Sequence, residues 1–502
     1  MANREELGLI RGARAGRAES QLALGRRYLF GSAGLPHSLP TALHWLERAA
    51  QQGCEQAWQL IGEHIPVELA RQSARPLTHW YERAYDGGLA QAGLVLAQLV
   101  LEAPAQRPDA ALRTKAQQAL AMAARAGLAE AQWLLARQST SAATLHTVQP
   151  RWLQQAADGG VVQAQTALLD AAWEARHWDA YLERALPQAR ALAAAGAPAV
   201  LEAPQAMLLA RCAQALAGGQ GGSEADPAEI HHFRELAALA NERHAQLAMG
   251  LWWARMQVDG QRVPGGSGSA NFKKAIRWLT QAGEQGLAEA WYALSRIYLK
   301  PEFSQRNIGA AQAHLERAAQ MGYRDAQFEC GNSAWRARRE RDGNDVRAVY
   351  WLQKAAAQGC ARAAAALHKI APRANGPVYS ATGALAPGRD LQASHPLLAA
   401  RLELAAMFRL TRAEALLLDI KTADFGHCLV IDIRASYGRS KRRLVLVDTA
   451  CEREALDRIA RLFEQIDSGP GGLEGNYRQR LYRLKSLVPA AADDEPDYEL
   501  AA

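Results

Sequence analysis

A glycine returns at a near-constant interval along the first three quarters of this 502-residue chain, each time closing the same alanine-rich skeleton. It stands at positions 16, 53, 88, 127, 160, 196, 286, 322 and 359, and Asn241 takes the slot between 196 and 286. The mean interval is about 38 residues, which lies in the range of stacked helical pairs. The clearest copy runs from Asn271 through Ala275, Trp278, Leu279, Ala282 and Gly286 to Ala290. The same order returns at Asn344, Ala348, Trp351, Leu352, Ala355, Ala356, Gly359 and Ala363, and again at Ser38, Ala42, Trp45, Leu46, Ala49, Ala50, Gly53 and Ala57. A further copy, through Asn307, Ala311, Leu315, Ala318, Ala319, Gly322 and Ala326, has His314 where the others have Trp. Any fold for this chain must therefore use one unit many times.

The unit reads as a helix with marked ends. Ser38, Asn271, Asn307 and Asn344 are N-cap types, whose side-chain oxygens accept from the orphan N–H groups of a first turn. Gly53, Gly286, Gly322 and Gly359 sit where a helix must stop in a left-handed residue, which glycine adopts at least cost. Between those marks, Ala, Trp or Leu and Ala-Ala recur at three and four residues, giving one apolar helix face. A second helix follows each glycine, with Ala290, Leu294, Ile297 and Tyr298 in one copy and Leu22, Leu24, Tyr28 and Leu29 in the first. Small alanines let neighbouring helices approach closely, and no single pair can bury its apolar face alone. The copies must therefore stack into a superhelical ribbon with one continuous core.

This skeleton resembles the Sel-one-like repeat (SLR) family, relatives of tetratricopeptide repeats. The resemblance covers roughly residues 10–370, strongest around Trp45, Trp278, His314 and Trp351 and fair around Trp80 with Gly88 and Trp152 with Gly160. Between residues 180 and 250, Gln188 and Phe233 stand in the Trp slot. The resemblance implies a mostly α fold: a right-handed superhelical α-solenoid of SLR/TPR-like helix pairs that binds other proteins, commonly as an adaptor in bacterial assembly or signalling. It implies no catalytic residue and no cofactor, because the family's defining positions are structural. A Trp at one helical slot in every copy is expected to pack between helices rather than to face a ligand. His314 in that slot is read the same way, and His231, His232 and His244 lack the carboxylate or Cys spacing of a metal site.

Composition narrows the class further. An apolar fraction of 49% with 22% charged residues is ordinary for a folded chain. No apolar run reaches the roughly 18–20 residues of a membrane span, and the first 20 residues lack the apolar stretch of a signal peptide, so a cytoplasmic protein is expected. The six cysteines are scattered, without a C-x-x-C pair or zinc spacing. The net charge of +7 lies before residue 373, since the remainder is balanced by its acidic end. Two of the glycine intervals span 45 residues and carry extra glycine, at 217–227 and 258–270. Both are expected to be surface loops, because lengthening a loop costs little. The glycines before Lys273 do not have phosphate-loop spacing.

After residue 372 the repeat stops. Residues 373–394, rich in Gly, Pro and Ala, are expected to be a linker, 395–488 a small α+β domain and 489–502 an acidic disordered tail. Residues 395–408 look helical, and Thr411 with Glu414 forms a capping box opening a second helix. Residues 428–433 and 443–448 are strand-like runs that can close a hairpin, and 452–466 form an amphipathic helix. Arg439, Lys441, Arg442 and Arg443 at that hairpin are possible contacts to phosphate or to an acidic partner. The helix pair around Thr411 suggests a helix-turn-helix, yet its second helix offers no Arg, Asn or Gln to read bases. Asp419, Asp424, His427, Asp432 and Asp448 permit a metal-dependent hydrolase, provided they converge. Arg478, Arg480, Tyr482, Arg483 and Lys485 make a further basic stretch.

The expectation is a non-enzymatic cytoplasmic scaffold or adaptor: residues 1–372 bind one or more partner proteins, and residues 395–488 add a second interaction or regulatory activity. A nucleic-acid-binding regulator is the first alternative and a hydrolase the second.

Overall fold

The computed structural model describes residues 4–32, 35–73, 75–102, 110–139, 149–195, 201–219, 226–263, 269–372, 389–433, 442–469 and 471–488. They form 27 helices and two strands in two compact units. One unit takes residues 1–194 with 215–225, and the other takes 195–214 with 226–502.

The first unit holds α1 (Arg4–Arg14), α2 (Ala18–Phe30), α3 (Leu39–Gln51), α4 (Glu55–His64), the short α5 (Val67–Gln72), α6 (Thr78–Asp86), α7 (Ala90–Leu101), α8 (Ala110–Arg125), α9 (Ala129–Ser139), α10 (Gln149–Asp158), α11 (Val162–Glu174) and α12 (Trp178–Ala194). Helix α13 (Ala203–Ala217) spans the boundary in sequence. The second unit continues with α14 (Pro227–Leu239), α15 (Arg243–Ala254), α16 (Phe272–Glu284), α17 (Ala288–Leu299), α18 (Ile308–Gln320), α19 (Arg324–Arg336), α20 (Asn344–Ala357) and α21 (Ala361–Ile370).

The glycine rule holds at every described slot. Gly16, Gly53, Gly88, Gly127, Gly160, Gly286, Gly322 and Gly359 all have positive φ, between 80° and 96°, and Asn241 has φ 67°. Gly196 lies outside the described residues. Each turn closes with the paired bonds of a Schellman motif: Gly322 N–H donates to Ala319 O at 3.1 Å and Tyr323 N–H to Ala318 O at 3.0 Å. Arg176 at φ 56° ends α11 in the same way without glycine, which the glycine pattern did not foresee.

The caps mostly follow expectation. Ser38, Asn271 and Asn307 accept from the N–H of Thr41, Lys274 and Ala310. Asn344 does not cap. Gly343, at φ 84°, takes the cap position of α20, and the Asn344 amide instead donates to Ala337 O at 3.0 Å. The left-handed conformation that joins the preceding turn to the helix is the one glycine adopts at least cost.

In four copies the residue after the Trp slot lies in the deepest part of the core, whereas Leu153, after Trp152, is half-buried. Leu46, Tyr81, Leu279 and Leu352 are fully buried. A glycine on the preceding helix receives several of them: a Cβ on Gly250 would lie 2.6 Å from Leu279 Cγ, and one on Gly331 2.7 Å from Leu352 Cγ. Bare backbone at these points lets the next helix seat its leucine against it.

The C-terminal portion of the second unit comprises α22 (Arg389–Ser394), α23 (Pro396–Phe408), α24 (Arg412–Leu417), the single turn α25 (Ile420–Ala423), β1 (Cys428–Asp432), β2 (Arg442–Leu446), α26 (Ala450–Phe463) and α27 (Tyr477–Leu487). Residues 389–394, expected as linker, are therefore helical, and 373–388 lie outside the described residues. The strands pair antiparallel, with Cys428 opposite Leu446 and Asp432 opposite Arg442. Capping boxes at Thr411–Glu414, Thr449–Glu452 and Asn476–Gln479 start α24, α26 and α27.

Strand alternation distributes β1 between two cores. Leu429 and Ile431 join Leu404, Phe408, Leu456, Ile459 and Phe463 in the core of the C-terminal helices. Cys428 and Val430, with Leu444 of β2, pack against Val346, Val349 and Leu352 of α20 and Leu367 of α21. The hairpin thus covers the apolar face that the last repeat would otherwise leave open.

Candidate interaction surfaces

The hairpin arginines are the first candidates, and the structure directs them inward along the chain. Arg442 Nε lies 2.7 Å from Asp345 Oδ2 and its Nη2 3.1 Å from Oδ1, while Nη1 reaches Asp432 at 3.2 Å. Burial acts to raise the Asp345 carboxyl pKa, but the Arg442 hydrogen bonds and charge outweigh it and hold that carboxyl below the usual range. Arg443 binds Glu414 through both oxygens at 2.7 Å and donates to Arg409 O. Such bidentate pairs tie β2 to α20 and to α24. Arg439 and Lys441 lie outside the described residues. Helix α24, the would-be recognition helix, buries Arg412, Glu414, Ala415 and Leu416, so it offers no face to a groove.

The acidic residues weighed for hydrolysis are dispersed among separate tasks. Asp419 caps α25. Asp424 is held by Arg453 at 2.9 and 2.5 Å, and that guanidinium keeps its carboxyl below the usual range. Asp432 meets Arg442. His427 sits with Nδ1 3.1 Å from Phe425 O and Nε2 3.1 Å from Val346 O, a second tie between hairpin and α20. Among the described residues, no three His, Cys, Asp or Glu side chains form a group able to hold a metal ion.

Two buried arginines organise the end of the chain. Arg401, 1% exposed, forms a bidentate pair with Glu474 at 2.6 Å and donates to Ala415 O and Leu418 O at 2.9 Å. Arg480 donates to Gly475 O, Leu416 O and Ser468 O, and burial lowers its pKa. Together they fasten Ser468, Glu474 and Gly475 against α23, α24 and α27. Arg480 is therefore structural, whereas Arg478, Tyr482 and Lys485 of the same basic stretch are exposed on α27.

Along the repeats, Trp80 and Trp351 are buried, and Trp45, Trp152 and Trp278 are half-buried. Trp45 packs with Ala13 and Leu24, Trp152 with Ala131 and Leu134, and Trp351 with Leu315 and Ala318, each reaching back to the preceding repeat. A cation three residues on covers several of these rings: Arg48 lies 5.6 Å from the Trp45 centroid and Arg83 5.7 Å from Trp80. Phe233 is 1% exposed in its slot, His314 stacks on Trp291 at 5.4 Å, and Gln188 is exposed.

A glutamine ladder escaped the sequence reading. Five residues after the turn residue, Gln21, Gln132, Gln165, Gln246 and Gln327 each donate back to the carbonyl of an alanine three residues before it. Gln52, Gln285 and Gln358, just before the next glycine, donate to Gln21, Gln246 and Gln327 at 2.7–2.8 Å. The periodic glutamine was visible beside the glycine, but a polar residue at helical spacing carries no burial signal by itself.

With this geometry in place, comparisons with known proteins identify the repeat. The profile of the Sel1 repeat matches residues 18–54, 78–89, 151–161, 243–287, 288–323 and 325–360. Among solved structures, a protective antigen of uropathogenic Escherichia coli with an SLR fold is 20% identical, with 97% of this chain and 98% of that chain covered and a TM-score of 0.43. A Sel1 repeat protein from Oxalobacter formigenes is also 20% identical, covering 74% of this chain and 91% of that one, with a TM-score of 0.28. No curated protein matches the chain.

Proposed function

The chain carries Sel1 repeats over the six matched segments, and from that premise we propose that it is a non-enzymatic scaffold or adaptor that brings partner proteins together. Sel1 repeats typically mediate protein interactions. The observation that supports the reading most is the division of labour within each repeat. Recurring side chains, from the Schellman glycines to the glutamine ladder and the buried leucines, hold neighbouring helices together. Exposed apolar positions such as Val162, Leu239 and Ile308 stand outside that recurring set and are available to define a partner. A preorganised helical array loses little entropy on binding, so such positions are an effective recognition surface.

The C-terminal hairpin acts in this reading as the end of the array and positions residues 395–488 for a second contact. A cytoplasmic setting fits the six cysteines, which form no disulfide and of which Cys212, Cys330, Cys360 and Cys428 are buried. No described helix is long and apolar enough to cross a membrane.

A salt titration of the full chain with duplex and single-stranded oligonucleotides, paired with affinity capture and quantification of bound proteins, tests the assignment. The expected result is saturable protein binding and no salt-dependent oligonucleotide affinity, because Arg442 and Arg443 are already paired within the chain. Oligonucleotide binding that falls steeply with salt, together with no captured protein, would overturn it.

A further inference from the structure

The two most exposed large apolar side chains of the described residues, Leu473 (77%) and Tyr482 (75%), line one groove. It has a volume of about 470 Å³, between the glycine-rich loop and the outer face of α27, and Arg478, Gln479 and Arg483 complete its walls. Arg478, Tyr482 and Lys485 are spaced by four and three residues, so they share one helical stripe. The inner face of α27 is already occupied, with Leu484 and Arg480 buried. The loop is held open from behind: the Arg401–Glu474 pair and Arg480 to Ser468 O fix its backbone while Leu473 points outward. The groove is thus a preformed apolar seat with a cationic rim, which calls for an acidic segment bearing an apolar or aromatic anchor.

Such a segment follows α27 in this chain. Residues 493–499 read Asp-Asp-Glu-Pro-Asp-Tyr-Glu, five carboxylates around one tyrosine. Four residues lie between Val488 and Asp493, and the five Cα steps reach up to about 17 Å when extended. The helix from Leu487 back to Arg478 is about 14 Å long at 1.5 Å per residue. The acidic segment can therefore return along the whole stripe. We propose that residues 493–499 dock in the Leu473–Tyr482 groove of the same molecule, making it a self-occupied acidic-peptide site that a partner's acidic segment must compete to enter. This proposal stands apart from the reading of the repeats, since it concerns only residues 471–502.

A fluorescent peptide of residues 489–502 is the probe, with anisotropy measured against the full chain and a chain ending at residue 488. The shortened chain is expected to bind the peptide in a salt-dependent manner. The full chain should bind at least about tenfold more weakly, because its own tail is present at millimolar effective concentration. R478E in the shortened chain should abolish binding and leave the thermal melt unchanged, that side chain being exposed. Equal peptide binding by the two chains, or none by the shortened one, overturns the proposal. So does preferential binding of a DNA oligonucleotide, or a tail-dependent dimer in sedimentation, which would place the tail on a second copy.

Discussion

Gln327 links three pieces of backbone with one amide. Its Nε2 donates to Ala319 O at 3.1 Å, closing the end of α18, and its Oε1 accepts from Gln358 Nε2 at 2.8 Å, reaching the end of α20. Gln358 in turn donates to Gly322 O at 3.0 Å. Replacing Gln327 by leucine keeps the volume but removes one hydrogen bond from Ala319 O, which keeps Gly322 N–H, and one from the Gln358 amide, which keeps Gly322 O, at a cost of about 1–3 kcal/mol for the two bonds. Urea unfolding of Q327L should show that loss with an unchanged m-value. A change inside the error of the extrapolation would mean that water replaces the amide at no cost. The turn glycines were legible because a left-handed residue leaves a nearly unique signature, whereas the ladder was not, because glutamine is also an ordinary surface residue. Asn344 misled for a related reason: its side chain can bond backward as easily as it can cap.

Among the elements, the hairpin shows how far local pattern reaches. The unbroken apolar run Cys428-Leu-Val-Ile marks a strand buried on both faces. Its helical partner on one side, α26, lies close in sequence, and the amphipathic period of that helix was visible. The partner on the other side, α20, lies some eighty residues earlier, and nothing in a local period specifies so distant a contact. The same distance hid Arg442 from view, since its carboxylate, Asp345, is 97 residues away. These ion pairs give the C-terminal elements a defined acid response. The Asp424 carboxyl is held low by Arg453, so it contributes stability at neutral pH. That contribution is lost as pH falls from the ordinary carboxylate range through the lowered folded value. Thermal melts of the wild type and D424N should therefore differ at pH 7 and converge toward pH 3. A difference that persists undiminished in acid would point to packing rather than charge.

For the whole molecule, the sequence arithmetic separated a repeat region from a second domain at a linker, and the packing ties these parts together within the second unit. Cys428, Val430 and Leu444 share a core with α20 and α21, His427 contacts Val346 O, and Gln353 donates to His427 O. Helical repeats need a terminal cover for the apolar face that has no further neighbour, and this hairpin supplies it. A charged side chain at Val430 would break that cover from the strand side while leaving the sequence of both helices unaltered. Hydrogen exchange of the full-length V430D chain, followed by mass spectrometry, reads the consequence directly. If the hairpin caps the repeats, protection of α20 and α21 falls together with that of β1 and β2, while α16–α18 keep theirs. Free exchange in the hairpin with full protection retained in α21 would contradict it.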